Sequence, residues 1–204
     1  MEIYDLSFHI EDGMPYFRGD PVPKIDQYKS IDRDGYNIKN LNFGTHTGTH
    51  VDAPAHFIKN GRTIDKFSPM ELSGIGTCIS YTPGEGIKLP DQKFKVLLLF
   101  TGYNENWNNF KEFENFTYID KDDAIKIKEY GAKVVGIDSP SAERAGSLHF
   151  ETHHILLGND IPIIENLNSS VLKYLINKSF YLIAIPLSIR EGDGSPLRVI
   201  AMEM

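Results

Sequence analysis

The chain has 204 residues, which is enough for one domain with a substantial hydrophobic core, or for two at most. Hydrophobic residues make up 41% and charged residues 24% of the sequence, as in folded globular proteins, and this excludes a disordered chain. The formal net charge is −7, without a block of like charge, which argues against nucleic acid and anionic membranes as partners. We therefore expect a folded, soluble protein.

Features of membrane and secreted proteins are missing from the sequence. The longest purely apolar run, Val96 to Phe100, has five residues, whereas a membrane-spanning helix needs about 20. Residues 1–5 are acidic and lack the basic start and long apolar stretch of a secretory signal, so a cytoplasmic location is expected. The single cysteine, Cys78, excludes an internal disulfide or a multi-cysteine metal site, and its apolar neighbours predict a core position.

Short segments rich in β-branched and aromatic residues dominate the chain and predict strands. They lie at about 3–9, 40–52, 75–82, 95–101, 133–138, 161–166, 180–187 and 197–203. Helices are predicted at 121–130, 152–157 and 169–177, with Asp120 and Asn168 as N-caps and Gly131 and Gly158 as stops. No long linker divides the chain. We expect a single α/β or α+β domain over residues 1–204, with a mixed sheet and few helices, rather than a regular doubly wound fold.

The Asn-rich segment 104–109 contains the single tryptophan of the chain, Trp107. Its composition predicts a solvated loop that this aromatic side chain anchors. A loop that covers a substrate is the alternative, because long loops within compact domains are often functional.

Candidate metal ligands are concentrated in residues 46–56, where His46, His50, Asp52 and His56 occur. On an extended strand, alternate residues share one face, so a strand through 40–52 brings His46, His50 and Asp52 together. Glycines, a proline and several threonines in this segment argue against a helix. Gly48 lies between the two histidines, and its missing side chain leaves room for a metal ion to approach the backbone.

Two neutral imidazoles and a carboxylate form a suitable set of ligands for a divalent ion such as Zn²⁺. Three protein ligands leave a position for water, as in catalytic zinc sites, and the absence of nearby cysteines favours a catalytic over a structural site. Downstream, one of the clustered histidines His149, His153 and His154, together with Glu165 of the next predicted strand, could add ligands from a second segment. The alternative for each group is an ordinary polar residue on a half-exposed strand or on the surface.

The segment 46–57, His-Thr-Gly-Thr-His-Val-Asp-Ala-Pro-Ala-His-Phe, resembles the signature of the metal-dependent cyclase family, which includes bacterial kynurenine formamidase (arylformamidase) and isatin hydrolase. The resemblance continues through nearly the whole chain in the family's order. Further matching blocks lie at 5–7, 19–21, 136–141, 153–157, 161–167 and 193–198.

This resemblance implies a compact, swivelling β/β/α-type fold, assembled as a homodimer or homotetramer, with one or two divalent metal ions per subunit. Zn²⁺ is expected first, with Mn²⁺ or Fe²⁺ as alternatives. The implied metal ligands are His46, His50, Asp52, His153 and Glu165, with Asp52 bridging the two ions. His56 matches the family's catalytic histidine. The remaining histidines, His9, His149 and His154, match no ligand and are expected in structural or surface roles.

One departure from the family concerns the substrate. Arylformamidases of this family carry a tryptophan just before Pro-Gly-Asp, whereas this chain reads Tyr16-Phe17-Arg18-Gly19-Asp20. Phe17 keeps an aromatic face for substrate binding, and Arg18 either pairs with a substrate carboxylate or is solvated. The resemblance implies hydrolysis of a formamide or amide C–N bond, first of N-formyl-L-kynurenine in tryptophan catabolism. A cyclic amide, as for isatin hydrolase, and non-catalytic binding of a metal or small ligand are the alternatives.

Overall fold

The computed structural model describes residues 2–107 and 115–204, which form ten strands and four short α-helices. The strands are β1 (Ile3–Asp5), β2 (Lys24–Lys29), β3 (Ile38–Asn42), β4 (His50–Asp52), β5 (Gly74–Ser80), β6 (Val96–Phe100), β7 (Val134–Ile137), β8 (Ile163–Glu165), β9 (Ser179–Pro186) and β10 (Gly194–Glu203). The α-helices are α1 (Ile31–Asp34), α2 (Lys121–Tyr130), α3 (Glu151–Leu157) and α4 (Ser169–Leu172). Short 3₁₀ turns cover Pro54–His56, Ile64–Lys66, Tyr103–Asn106 and Lys173–Leu175.

Eight of the strands form one mixed sheet in the order β1-β10-β4-β8-β7-β6-β5-β9. Strands β5 to β8 are parallel, and the other pairings are antiparallel. Because β9 also pairs with β10, the sheet closes into a barrel, while β2 and β3 form a separate antiparallel pair. The predicted α/β class with a mixed sheet and few helices is confirmed.

The side chains of β6 alternate between two hydrophobic clusters, one on each face of the strand. Leu98 belongs to a buried cluster with members from β4 to β10, the seven strands that close the barrel, including Phe180 of β9. Leu97 and Leu99 point the opposite way and pack with Ile127 of α2 and with residues of α3. A strand buried on both faces in this way reads as a continuous apolar run, as 96–100 does. Cys78 is fully buried, as predicted, and burial raises the pKa of its thiol.

The prediction of one strand over 40–52 is wrong. β3 ends at Asn42 and β4 begins at His50, with turns and irregular backbone between them. Gly48 has φ +64, in the left-handed region that an extended strand cannot contain. The other predicted strands are present with shifted ends, whereas β2 and α1 were not predicted. The sequence of β2, Lys-Ile-Asp-Gln-Tyr-Lys, is too polar for the strand pattern.

The helix predictions are largely confirmed. α2 has the predicted bounds and ends at Gly131, with φ +94. Asp120 precedes it, but its carboxylate accepts a hydrogen bond from the Gly84 N–H and none from the helix, so it is not a side-chain cap. The Asn168 side chain does cap α4, by accepting from the Ser170 N–H. No helix among residues 2–107 and 115–204 is long and apolar enough to cross a bilayer.

The start of the Asn-rich segment is not a solvated loop. Asn104 is buried, and its side-chain amide donates to the Leu167 carbonyl over 2.6 Å and accepts from the Ser169 N–H over 2.8 Å. Trp107 stacks on Phe8 with 4.0 Å between ring centroids, which fits the predicted anchor. Residues 108 and 109 lie outside the described residues.

Candidate metal-dependent active site

Pairing of β4 with its two neighbours assembles the centre of the candidate site. His50 lies opposite Glu165 of β8, and Asp52 lies opposite Gly194 of β10. Val51, between the two, points into the core, so His50 and Asp52 share the other face of the strand. All three β4 side chains are buried. The predicted common face is therefore present in this short strand.

His46 reaches the same place from the turn that precedes β4. Its Nδ1 lies 2.7 Å from Asp52 Oδ1. Gly194 makes room for the ring, because a Cβ there would lie 2.7 Å from His46 Cε1. The predicted role of Gly48 is wrong: a Cβ at this position would meet the Met14 side chain at 3.1 Å, so the glycine serves the turn rather than ion access.

The five predicted metal ligands converge. His50 Nε2 lies 3.4 Å from Asp52 Oδ1 and 3.5 Å from Glu165 Oε2. His153, on α3, places its Nε2 3.4 Å from Asp52 Oδ2 and 3.4 Å from Glu165 Oε1. Asp52 is thus at the centre of the cluster, with an imidazole against each of its oxygens. Ligand atoms of His50, Asp52 and Glu165 all lie within 4.8 Å of one another, which is close enough to hold one ion.

In His46, His50 and His153, the ring nitrogen that does not face Asp52 faces a hydrogen-bond acceptor. The pairs are His50 Nδ1 with the Gly48 carbonyl at 2.8 Å, His153 Nδ1 with Glu143 Oε2 at 3.4 Å, and His46 Nε2 with Asp193 Oδ2 at 3.1 Å. Such outer partners fix the tautomer of a metal-binding histidine and direct the other nitrogen to the ion. Sequence reasoning missed Glu143 and Asp193 as functional residues, although Asp193 begins the block at 193–198.

The donor set fits a divalent metal ion. Asp52 Oδ2 is buried and accepts no hydrogen bond, although His153 Nε2 lies 3.4 Å away, and a buried carboxylate oxygen without a hydrogen bond is costly. An ion among the inner nitrogens and carboxylates removes that cost. Imidazole and carboxylate ligands together suit Zn²⁺, Mn²⁺ or Fe²⁺.

In the metal-free protein, hydrogen-bonded pairs of imidazoles and carboxylates outweigh burial in setting the pKa values of the cluster. Burial alone would lower the pKa of His46, but hydrogen bonds to Asp193 and Asp52 outweigh it and raise the pKa to about 10. Burial is likewise outweighed at His50, where hydrogen bonds to Asp52 and Glu165 raise the pKa to about 9. Burial would raise the pKa of Asp52, yet the surrounding imidazoles hold it well below its usual value.

These shifts predict that metal binding releases protons. His46 and His50 hold their protons at neutral pH in the metal-free protein, because their pKa values are raised, and only neutral imidazole binds metal. Apparent metal affinity therefore rises with pH, by up to about tenfold per pH unit for each proton released. Calorimetry in two buffers of different ionisation enthalpy counts the protons directly. An affinity that stays constant between about pH 6 and pH 8 contradicts this prediction.

A cavity of about 400 Å³ opens onto the cluster, with aromatic walls that include Phe17, Phe57 and Phe150. Phe17 is 40% exposed and rests edge-on against the buried Phe116, with 6.0 Å between ring centroids. Arg18 is exposed and is not among the described residues that line the cavity. The position of Phe17 therefore suits contact with a bound aromatic group.

His56 stands between the cluster and the cavity. Its ring stacks on His46 at 3.9 Å, and its side chain is 29% exposed. Its ligand nitrogen lies within 4.8 Å of those of His46 and Asp52. His56 is thus near enough to the cluster to exchange a proton there. The other three histidines, His9, His149 and His154, are exposed.

Comparison with known proteins agrees with this geometry. The sequence profile of the family described as "Putative cyclase" matches residues 4–144. An uncharacterized protein of Methanocaldococcus jannaschii is 38% identical over 99% of this chain and 100% of its own length. The kynurenine formamidase of Geobacillus thermodenitrificans is 30% identical over 98% of this chain and 97% of its own length. The chain belongs to the cyclase family.

Solved structures show the same fold. A protein described as a potential metal-dependent hydrolase with cyclase activity matches 100% of this chain and 98% of its own, with a TM-score of 0.81 and 25% identity. An isatin hydrolase bound to the product analogue thioisatinate matches 98% of this chain and 92% of its own, with a TM-score of 0.85 and 20% identity. The chain is an enzyme of the metal-dependent hydrolase class.

Proposed function

We propose that the protein hydrolyses the C–N bond of an aryl formamide, with N-formyl-L-kynurenine as the first substrate to test and tryptophan catabolism as its setting. One observation carries the proposal: the cluster of five predicted ligands adjoins a cavity whose lining includes aromatic side chains such as Phe17 and Phe57. Similarity to kynurenine formamidases over 98% of the chain supports the choice of substrate.

The position of each residue in the site indicates its role in the reaction. His46, His50, Asp52, His153 and Glu165 would hold one or two divalent ions. A bound divalent ion supplies water as a nucleophile near pH 7 and polarises the substrate carbonyl. His56 accepts the proton of the attacking water and delivers it to the leaving amine nitrogen. The C–N bond then breaks to give formate and the free aryl amine.

Phe17 contributes binding of the aryl ring in this proposal. We expect Phe17→Ala to raise KM for an aryl formamide by about fivefold, which corresponds to about 1 kcal/mol of aromatic contact. Phe17→Trp is expected to retain or improve KM. Tyr28→Ala, which removes an exposed aromatic ring outside the residues that line the cavity, is the matched control. Steady-state kinetics of the three variants test whether Phe17 binds the aryl ring. An unchanged KM in Phe17→Ala shows that Phe17 does not bind the substrate.

A cyclic amide is the second candidate substrate, because the fold matches that of an isatin hydrolase with a TM-score of 0.85. Parallel assays of N-formylkynurenine and isatin with metal-loaded enzyme separate the two candidates. We expect faster turnover of the formamide. Turnover of isatin alone overturns the aryl formamide proposal in favour of the lactam. No turnover of any amide, lactam or ester with metal bound favours a non-catalytic binding protein.

The metal and the assembly are part of the same proposal. We propose Zn²⁺ as the resident ion, with Mn²⁺ as an alternative that the same ligands accept. We further propose a homodimer or homotetramer in the cytoplasm. Metal analysis of protein purified without added metal and light scattering of the same sample test the first two points.

A further inference from the structure

Asp193 contacts both His46, a predicted metal ligand, and His56, the predicted catalytic histidine. Its Oδ2 lies 3.1 Å from Nε2 of His46 and 3.6 Å from Nδ1 of His56. Its other oxygen, Oδ1, accepts a hydrogen bond from the Thr45 hydroxyl at 2.9 Å. The carboxylate therefore has a fixed orientation, with one oxygen assigned to Thr45 and the other shared by two imidazoles.

The backbone holds Asp193 in this place independently of its side chain. The Asp193 carbonyl accepts from the Ala53 N–H over 2.9 Å, next to the pairing of Gly194 with Asp52. Ala53 follows Asp52 and precedes the 3₁₀ turn that carries His56. The chain just before β10 thus fixes the position of Asp193 relative to both the inner cluster and His56. Replacement of the side chain leaves this backbone bond in place.

We propose that Asp193 is a positioning residue that sets the proton location on His46 and the ring orientation of His56. Its Oδ2 accepts the Nε2 proton of His46, so that Nδ1, which donates to Asp52 Oδ1 over 2.7 Å without metal, is the nitrogen that loses its proton when an ion binds. The same oxygen lies 3.6 Å from Nδ1 of His56, and this charged contact orients the ring so that Nε2 is the nitrogen that exchanges protons. The effect on His56 rests on the proposed function, whereas the effect on His46 does not.

Asp193→Asn tests this proposal because it keeps the shape of the side chain. The Thr45 hydroxyl retains the amide oxygen, so the amide NH₂ faces Nε2 of His46. Two donors then oppose each other unless His46 moves its proton to Nδ1, the nitrogen directed at the inner cluster. Loss of such an outer partner typically costs about 10–100-fold in metal affinity or activity.

The experiment measures Zn²⁺ affinity by competition with a chromophoric chelator, and the absorption spectrum of Co²⁺-loaded protein. Asp20→Asn is the matched control, because Asp20 is an exposed acid on the wall of the same cavity and the variant removes the same charge. We expect weaker Zn²⁺ binding by about 10–100-fold and an altered Co²⁺ spectrum in Asp193→Asn, with neither change in Asp20→Asn. Thr45→Val, which frees the carboxylate without changing charge, is expected to shift both readouts less, in the same direction.

Other outcomes overturn the proposal. Equal affinity and spectrum in Asp193→Asn and wild type exclude a positioning role. If Asp193→Asn and Asp20→Asn lose Zn²⁺ affinity equally, the loss of one negative charge explains the effect, and Asp193 has no positioning role. If wild-type protein hydrolyses neither formamide nor lactam, the proposed function fails, but the metal measurements still decide the role of Asp193 toward His46.

Discussion

His56→Ala is expected to retain its metal and lose turnover by about 10²–10⁴-fold, the usual contribution of a positioned general acid–base group. The reason is geometric. The His56 ring lies at the border of cluster and cavity, stacked on His46 at 3.9 Å, whereas the buried imidazoles His50 and His153 contact both inner carboxylates. All five predicted ligands remain when His56 is removed, so metal is still held.

Metal content and kcat must be measured on the same sample of this variant. The ligand nitrogen of His56 lies close enough to those of His46 and Asp52 to bind an ion itself, and a loss of metal in His56→Ala would assign it that role instead. Full activity in the variant would remove His56 from the mechanism. His154→Ala, which removes an exposed histidine three residues before the end of α3, controls for the loss of an imidazole elsewhere.

Asp52→Asn is expected to have the largest effect on metal binding. Asp52 is 1% exposed, and its oxygens lie against imidazoles of His46, His50 and His153. The variant loses the central anion, so its metal affinity should fall by more than the about 10–100-fold typical of an outer partner. Removing one member of a buried ion pair commonly costs about 3–5 kcal/mol, so the metal-free variant should also unfold at lower denaturant concentration.

Metal stoichiometry and denaturant titrations test the role of Asp52. Two ions per subunit in wild type and fewer in Asp52→Asn fit a bridging carboxylate. Unchanged stoichiometry and affinity contradict a bridge. Asp20→Asn again provides a control for the loss of one negative charge at the cavity, since Asp20 is exposed whereas Asp52 is buried.

Much of the site could be predicted because its residues are close in sequence. His50 and Asp52 share a face through simple strand alternation, and β4, although only three residues long, is sufficient for this. Alternation predicts His46 on the same strand, whereas the structure places it in the turn before β4. The predicted proximity is nevertheless present, because His46 Nδ1 lies 2.7 Å from Asp52 Oδ1.

The remaining parts of the site depend on contacts between distant segments. Glu165 meets His50 through the register of β8 with β4, and Asp193 meets His46 because β10 runs along the other side of β4. Strand alternation carries no information about which strands are neighbours. The family resemblance identifies Glu165 as a ligand although alternation does not. It does not identify Asp193 or Glu143, since outer partners of a metal site are recognised by their hydrogen bonds rather than by sequence spacing.

The metal-dependent mechanism is tested by the rate of N-formylkynurenine hydrolysis by purified protein, first loaded with Zn²⁺ or Mn²⁺, then stripped with chelator, then reloaded. We expect turnover that disappears on stripping, returns on reloading, and is weak in His56→Ala with metal bound. Turnover that persists in the stripped protein would contradict a mechanism based on the His46, His50, Asp52, His153 and Glu165 cluster.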